Sequence, residues 1–183
     1  MILVEELRMI GDLKLSTAAE LCVKEYEDLL SIMPASMGGK HHPPDERGIG
    51  GLRLHIGRVA HILYKTAEHF GLSNDDRDIL IFCAIVHDIS NLRTSKLVQG
   101  ELKRDSETWS KWHGNLSSQI ATERLLEVGF ASDDPTLLTI QGIVQSHMGA
   151  WSPNLRQPFN NSLEVIFSMA DFVTTRENVL VKI

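Results

Sequence analysis

The stretch Ile79-Leu-Ile-Phe-Cys-Ala-Ile-Val-His-Asp88 is apolar for eight consecutive residues and then ends in an adjacent histidine and aspartate. Ser73 or Asn74 can cap a helix that enters this stretch, and acidic residues in the first turn favour the same start. A helix that is apolar on all sides normally lies in the centre of a domain. We therefore expect His87 and Asp88 to be delivered to the interior of the protein.

The rest of the chain also shows apolar residues at helical spacing. This spacing predicts further helices from Ser16 or Thr17 to Met33 and over residues 52–70, 109–128, 136–147 and 162–181. Two Gly/Pro-rich segments, 34–51 and about 149–161, predict irregular loops, and the polar residues 90–108 predict a surface excursion or lid. No strand alternation of useful length is present. The pattern predicts an all-α bundle of about six to eight helices, with both loops near one site.

Length, charge and cysteine content narrow the class of protein. A chain of 183 residues is expected to form one domain, residues 1–183. The net charge of −6 argues against a groove for long nucleic acid but leaves a free nucleotide or short oligonucleotide open. Cys22 and Cys83 predict two buried free thiols. No apolar run approaches the roughly 20 residues that span a bilayer, so we expect no membrane segment and a cytoplasmic location.

Six histidines and aspartates lie on or at the ends of predicted helices with apolar neighbours. They are His55, His87, Asp88, His113, His147 and Asp171. From five helices they can converge on one interior point, where imidazole and carboxylate suit divalent Mn, Fe, Co, Ni or Zn. Taken singly, a histidine of this kind can be a hydrogen-bonded core residue, and His113 can be a surface residue. Asp88 differs, because a carboxylate ending an apolar helix must be paired, neutralised or metal-bound.

The order His55, His87-Asp88, Asp171 resembles the ligand series of the HD superfamily of metal-dependent phosphohydrolases, and Leu54-His-Ile-Gly-Arg-Val59 resembles its first-ligand helix. The similarity covers about residues 34–178, which implies a single HD-type helical bundle that follows an N-terminal helical part, residues 1–33. His113 and His147 stand where two-metal members carry additional histidines. The resemblance therefore implies one or two bound metal ions and favours two.

Two flanking segments are similar to HD-domain 3′–5′ exoribonucleases and to phage, plasmid and archaeal HD proteins. They are Pro34-Ala-Ser with His41-His42 and Gly50-Gly-Leu52, and Ser146-His-Met-Gly149 with Ser152-Pro153. Two positions depart from the families compared: Met148 replaces a histidine, and Asn91 replaces the lysine that often follows the HD pair in two-metal phosphodiesterases.

The resemblance implies a phosphomonoesterase or phosphodiesterase that acts on a nucleotide or short oligonucleotide, with Asp88 and His87 as catalytic residues. Asp88 would bind or bridge metal and accept a proton from water. Arg93, Lys96 and Lys103 are candidates to hold phosphate, although a charged residue of such a polar stretch is more often a solvated surface charge. His42, like His41, can contact substrate, support a metal ligand or hold its loop.

Two other functions stay open at this point. The same residues could serve a di-iron oxygenase of the HD type. The departures at Asn91 and Met148 also fit a metal-bound nucleotide sensor without turnover, or a protein-interaction domain that keeps only the fold. A homo-oligomer is possible for each of these functions.

Overall fold

The computed structural model describes residues 2–38, 41–149, 159–177, 179 and 181, and these residues are mostly helical. The helices are α1 (Val4–Arg8), α2 (Leu13–Glu25), α3 (Glu27–Ile32), α4 (Gly51–Phe70), α5 (Asn74–Val86), α6 (Ser90–Arg93), α7 (Ser106–Glu127), α8 (Pro135–Ser146) and α9 (Ser162–Thr174). A short 3-10 helix covers Pro44–Glu46, and two strands, β1 (Ser95–Val98) and β2 (Glu101–Arg104), form a small antiparallel sheet. The predicted all-α fold class is confirmed.

Helix α5 lies at the centre of the bundle, as its all-apolar sequence predicts. The Ser73 hydroxyl caps it by accepting a hydrogen bond from the backbone N–H of Asp76 at 3.0 Å. Every residue from Leu80 to Val86 is at most 2% exposed, and the helix packs against α2, α4, α8 and α9. The apolar surface of the helix is therefore buried on all sides. Because His87 and Asp88 directly follow its last residue, they also lie in the interior.

The N-terminal helical part begins earlier than predicted and is interrupted. The Asp12 carboxylate caps α2 by accepting from the backbone N–H of Leu15 at 2.8 Å, so neither Ser16 nor Thr17 is the cap. Tyr26, with φ −115° and ψ 15°, breaks the predicted single helix into α2 and α3. Asp78 of α5 holds this region through its Oδ2 atom, which accepts from the backbone N–H groups of Gly11 and Asp12 at 2.8 and 2.7 Å.

The polar excursion contains a β-hairpin, so the prediction of no strand is wrong over this stretch. Strands β1 and β2 are joined by Gln99 and Gly100, which both have positive φ, 55° and 82°. Two consecutive residues of this kind give a turn whose twist matches an antiparallel pair. Strands of four residues are too short to show clear alternation in the sequence.

Two other helix boundaries differ from prediction. Helix α7 begins at Ser106 rather than near residue 109, because Asp105 caps it by accepting from the backbone N–H of Thr108 at 3.1 Å. Helix α9 ends at Thr174 rather than near residue 181. The centre of the second Gly/Pro-rich loop, residues 150–158, lies outside the described residues.

The burial of the cysteines agrees with a further prediction. The thiols of Cys22 and Cys83 are both buried and free. Among the described helices, each one is either too short or too polar to cross a membrane.

Candidate metal centre

The structure brings six buried histidine and aspartate side chains together from five helices or their ends. They are His55 in α4, His87 and Asp88 directly after α5, His113 in α7, His147 directly after α8, and Asp171 in α9. Each of these residues is between 0% and 9% exposed. Their ligand atoms form two adjacent groups, and within each group these atoms lie within 4.8 Å of one another.

The first group consists of His55, His87 and Asp171. The Nε2 atom of His55 lies 3.3 Å from Nε2 of His87 and 3.2 Å from Oδ1 of Asp171. The Nε2 atom of His87 lies 3.7 Å from the same carboxylate oxygen. Two imidazole nitrogens and one carboxylate oxygen therefore face a common point, which is a donor set that divalent transition ions accept.

The second group consists of Asp88, His113 and His147. The Nε2 atom of His113 lies 2.8 Å from Oδ1 of Asp88 and 3.1 Å from Nε2 of His147. The Nε2 atom of His147 is 3.8 Å from the same oxygen of Asp88. This group again presents two imidazole nitrogens and one carboxylate oxygen to a common point.

Asp88 joins the two groups. Its Oδ1 atom belongs to the second group, whereas its Oδ2 atom lies 3.8 Å from Nε2 of His87 in the first. One carboxylate with its two oxygens directed to neighbouring groups is the arrangement that can bridge two ions. The geometry thus suits a pair of cations as well as a single one.

Hydrogen bonds at Nδ1 of His87 and His147 determine that Nε2 is the ring nitrogen available to a metal. Nδ1 of His87 donates to the carbonyl of Ala84 at 2.9 Å, and Nδ1 of His147 donates to the carbonyl of Val144 at 2.7 Å. A carbonyl oxygen can only accept, so each ring carries its proton on Nδ1 and presents a lone pair on Nε2. Nitrogen lone pairs that meet across 3.1 to 3.3 Å repel unless a proton or a cation lies between them. The donor set therefore fits a metal.

Burial and neighbouring charges keep most of these groups in the state that a metal needs. Burial lowers the pKa of His87 and lowers that of His147 to about 4, so both rings are neutral at pH 7. Burial opposes ionisation of Asp88 and Asp171, yet the histidines around them hold the pKa of each carboxyl below its usual value. Burial also opposes charge on His55, but hydrogen bonds with Asp171 and Glu46 outweigh it and raise its pKa to about 10. A metal would displace that proton.

Close backbone packing positions the second group. A Cβ atom on Gly114 would lie 2.9 Å from the carbonyl oxygen of Gln145 and 3.1 Å from that of Val144. Glycine at this position therefore lets α7 approach the C-terminal turn of α8, and this approach sets His113 beside His147. The Ser90 hydroxyl, 2.9 Å from Nδ1 of His113, holds the other side of that ring.

The buried carboxylate of Glu46 lies beside Nδ1 of His55, and the sequence analysis did not predict it as part of the site. Glu46 is 0% exposed, and its Oε2 atom lies 2.8 Å from Nδ1 of His42 and 3.4 Å from Nδ1 of His55. Its other oxygen accepts from Arg58 at 2.6 Å, and Arg58 also binds the carboxylate of Asp45 at 2.6 Å. Burial raises the pKa of Glu46, but its hydrogen bonds outweigh this and lower it to about 2.

Glu46 therefore supports a ligand. His42, Glu46 and His55 form a third compact group of possible metal ligands. However, the Glu46 carboxylate is already neutralised by Arg58, and its contact with Nδ1 of His55 is the kind that orients a ligating imidazole. The sequence holds only a weak signal for an acidic residue at this place. Arg58 follows His55 by three residues and thus lies on the same side of α4. A buried arginine there needs an acidic partner.

A cavity of about 410 Å³ opens onto five of the six residues, all except His87, which lies behind them. Its wall includes three apolar residues and three basic ones. The apolar residues are Ala35, Met148 and Phe172, and the basic ones are His42, Arg104 and Arg176. The three cations predicted to hold phosphate do not line it. Arg93 is exposed and paired with Glu123 at 3.4 Å, and Lys96 and Lys103 lie on the exposed side of the hairpin.

Comparison with known protein families gives a match over most of the chain. The family model described as HD domain matches residues 53–175, a span that contains all six residues of the centre. No curated protein and no solved structure matches the chain.

Proposed function

Because the chain belongs to the HD domain family, whose members are generally metal-dependent hydrolases, we propose that it hydrolyses the phosphoester of a nucleotide or short oligonucleotide. The observation that carries this proposal is the pair of ligand groups joined by Asp88 at the base of one cavity. His55, His87, Asp88 and Asp171 would hold one divalent transition ion. Asp88, His113 and His147 would hold a second.

A bound divalent cation would lower the pKa of water to near neutrality and offset negative charge on the phosphoryl oxygens. The chain supplies the rest. Asp88 is ionised and lies at the cavity wall, where it can accept a proton from an attacking water. His87 and His147 stay neutral because burial lowers the pKa of each ring, and the hydrogen bonds from Nδ1 to backbone carbonyls leave each Nε2 lone pair available. Attack of that water on phosphorus would break the P–O bond of the ester, and the proton taken up by Asp88 would pass to the leaving oxygen, so no protein nucleophile is needed.

The cavity supports a small nucleotide-sized substrate. Its volume of about 410 Å³ lies at the lower end of the range for small-molecule sites, roughly 300 to 1,000 Å³. Two arginines suit the phosphate. The ring of Phe172, which is 36% exposed and has the guanidinium of Arg176 at 4.1 Å from its centroid, adds an aromatic group to the wall beside which a nucleobase can pack. The net charge of −6 disfavours a long nucleic acid.

The test combines metal analysis with a substrate screen. Purified protein is stripped with a chelator, reloaded with Mn, Fe, Co, Ni or Zn, and assayed with nucleotides, cyclic nucleotides and short RNA. We expect metal uptake, hydrolysis of at least one class, and a loss of at least about a hundredfold in Asp88→Asn. Asp133→Asn, a change at an exposed residue, is the matched control and should behave as the wild type.

The same assay separates the alternative functions. Failure to take up any metal would overturn the proposal. Oxygen consumption without phosphate release would assign the centre to oxygenase chemistry instead. Tight nucleotide binding without turnover in every metal would identify a sensor.

A further inference from the structure

Strand β2 turns one arginine into the cavity and its neighbouring lysine out to solvent. Successive side chains of a strand lie on opposite faces, and along Glu101–Arg104 exposed residues alternate with half-buried ones. Lys103 is on the exposed face, whereas Arg104 lines the cavity together with Asp88 and His113. The hairpin therefore delivers a cation to the candidate metal centre from outside the helical bundle.

The position of Arg104 is fixed relative to the centre by Asn91. Its Nη1 atom donates to Oδ1 of Asn91 at 2.6 Å, and Asn91 is only 2% exposed. The backbone N–H of Asn91 in turn donates to the carbonyl of Asp88 at 3.0 Å. A short chain of two hydrogen bonds thus links the guanidinium to the residue that joins the two ligand groups.

The chemistry of this side chain suits a phosphate. A guanidinium stays protonated and presents several N–H donors in one plane, which match two oxygens of a phosphate. Burial lowers the pKa of Arg104, and the charge of Asp88 opposes that shift, so the two groups act on each other electrostatically. A partly buried cation interacts with an anion more strongly than a fully solvated one.

We propose that Arg104 binds the phosphate group of the substrate and that Asn91 is its positioning residue. This inference rests on the proposed function, because it places the scissile phosphate between Arg104 and the ligand groups. It also assigns a role to Asn91, which stands where two-metal phosphodiesterases of the HD superfamily often carry a lysine. Asn91 is itself uncharged, but it holds the charged side chain of Arg104, which comes from the hairpin.

The test measures binding of inorganic phosphate to the manganese-loaded protein by titration calorimetry. Arg104→Ala should weaken phosphate binding about ten- to a hundredfold, the loss expected for hydrogen bonds to a charged group. Arg104→Lys keeps the charge but loses the planar pair of donors, so its affinity should lie between wild type and Arg104→Ala. Lys103→Ala, on the same strand but the opposite face, is the matched control and should bind within twofold of wild type.

Asn91→Ala should weaken phosphate binding less than Arg104→Ala, and in the double variant the effect of Asn91→Ala should largely disappear. A merely structural role for Asn91 would leave the two effects additive, which would remove its assignment. Manganese content and thermal midpoint are recorded for every variant. Manganese content should stay at the wild-type value, and each variant should remain folded at the temperature of the titration.

The outcomes distinguish this inference from the proposed function. If wild type hydrolyses a nucleotide while Arg104→Ala and Lys103→Ala bind phosphate equally well, the role of Arg104 is overturned and the function stands. If phosphate binding depends on Arg104 but no phosphoester is cleaved, the anion site stands and the function fails. Absence of phosphate binding by the wild type would overturn the role of Arg104.

Discussion

Replacing Gly51 with alanine would place a methyl group against the backbone of the segment that carries Glu46. A Cβ atom at this position would lie 1.9 Å from the carbonyl oxygen of Glu46, 2.4 Å from its carbonyl carbon and 2.9 Å from its Cα. These are backbone atoms, so no side-chain rotation relieves the clash. The same carbonyl accepts a hydrogen bond from the backbone N–H of Ala35 at 3.0 Å, which anchors it against movement.

The expected cost follows from these contacts. Overpacking of a well-filled site costs typically 1 to 3 kcal/mol, and strain in the Ala35–Glu46 hydrogen bond adds about 1 kcal/mol. Alanine also lowers the conformational entropy of the unfolded chain, which offsets about 0.4 to 1 kcal/mol of this destabilisation. Gly51→Ala should therefore destabilise the protein by about 1 to 3.6 kcal/mol, which lowers the thermal midpoint by about 2 to 14 °C in a chain of this length.

The same substitution should weaken metal binding, because the displaced Glu46 no longer orients His55. The loss of a partner of this kind typically costs about ten- to a hundredfold in affinity. The assay is thermal unfolding and metal titration of Gly51→Ala beside Gly48→Ala, whose added Cβ would meet nothing within 4 Å. Equal midpoints and equal metal affinities in the two variants would refute the reasoning.

Three further predictions concern the centre and its scaffold. His113→Ala should lower bound metal from two equivalents to one, measured by elemental analysis, and unchanged stoichiometry would rule out a second ion at this group. Urea unfolding of chelator-treated, metal-free protein should show the greatest stability near pH 6.5. Because folding lowers the pKa of His147 to about 4, stability should be lost as the pH falls from 6.5 towards 4. Because folding raises the pKa of His55 to about 10, stability should also be lost as the pH rises from 6.5 towards 10. His147→Gln should flatten the acid side, and an unchanged acid side would contradict the assignment. Asp78→Asn should cost about 1.5 to 3 kcal/mol in urea unfolding because Asp78 holds two backbone N–H groups, whereas the exposed Asp75→Asn should cost little; equal costs would contradict this account.

The helical fold could be predicted from the sequence because its signals are local. The apolar run before His87 specifies a buried helix whatever surrounds it, and the predicted fold class is confirmed. Helix starts at Asp12 and Asp105 were missed because several neighbouring residues can cap, and only packing selects one. The break at Tyr26 has no local signal, since no proline or glycine lies there.

The parts of the site that could not be predicted depend on register and on distant partners. Whether Lys103 or Arg104 enters the cavity is decided by the register of a four-residue strand, and a shift of one residue would exchange them. Glu46 is recognisable only when the loop that carries it is seen folded back onto His55 and Arg58. By contrast, the six ligand candidates could be named because each follows or interrupts an apolar helical pattern.

The two ligand groups also differ in where their members lie along the chain. The second group joins residues 88, 113 and 147, whereas the first joins His55 of α4 to Asp171 of α9, the last described helix. Release of α9 from the bundle would therefore open the first group and leave the members of the second in place.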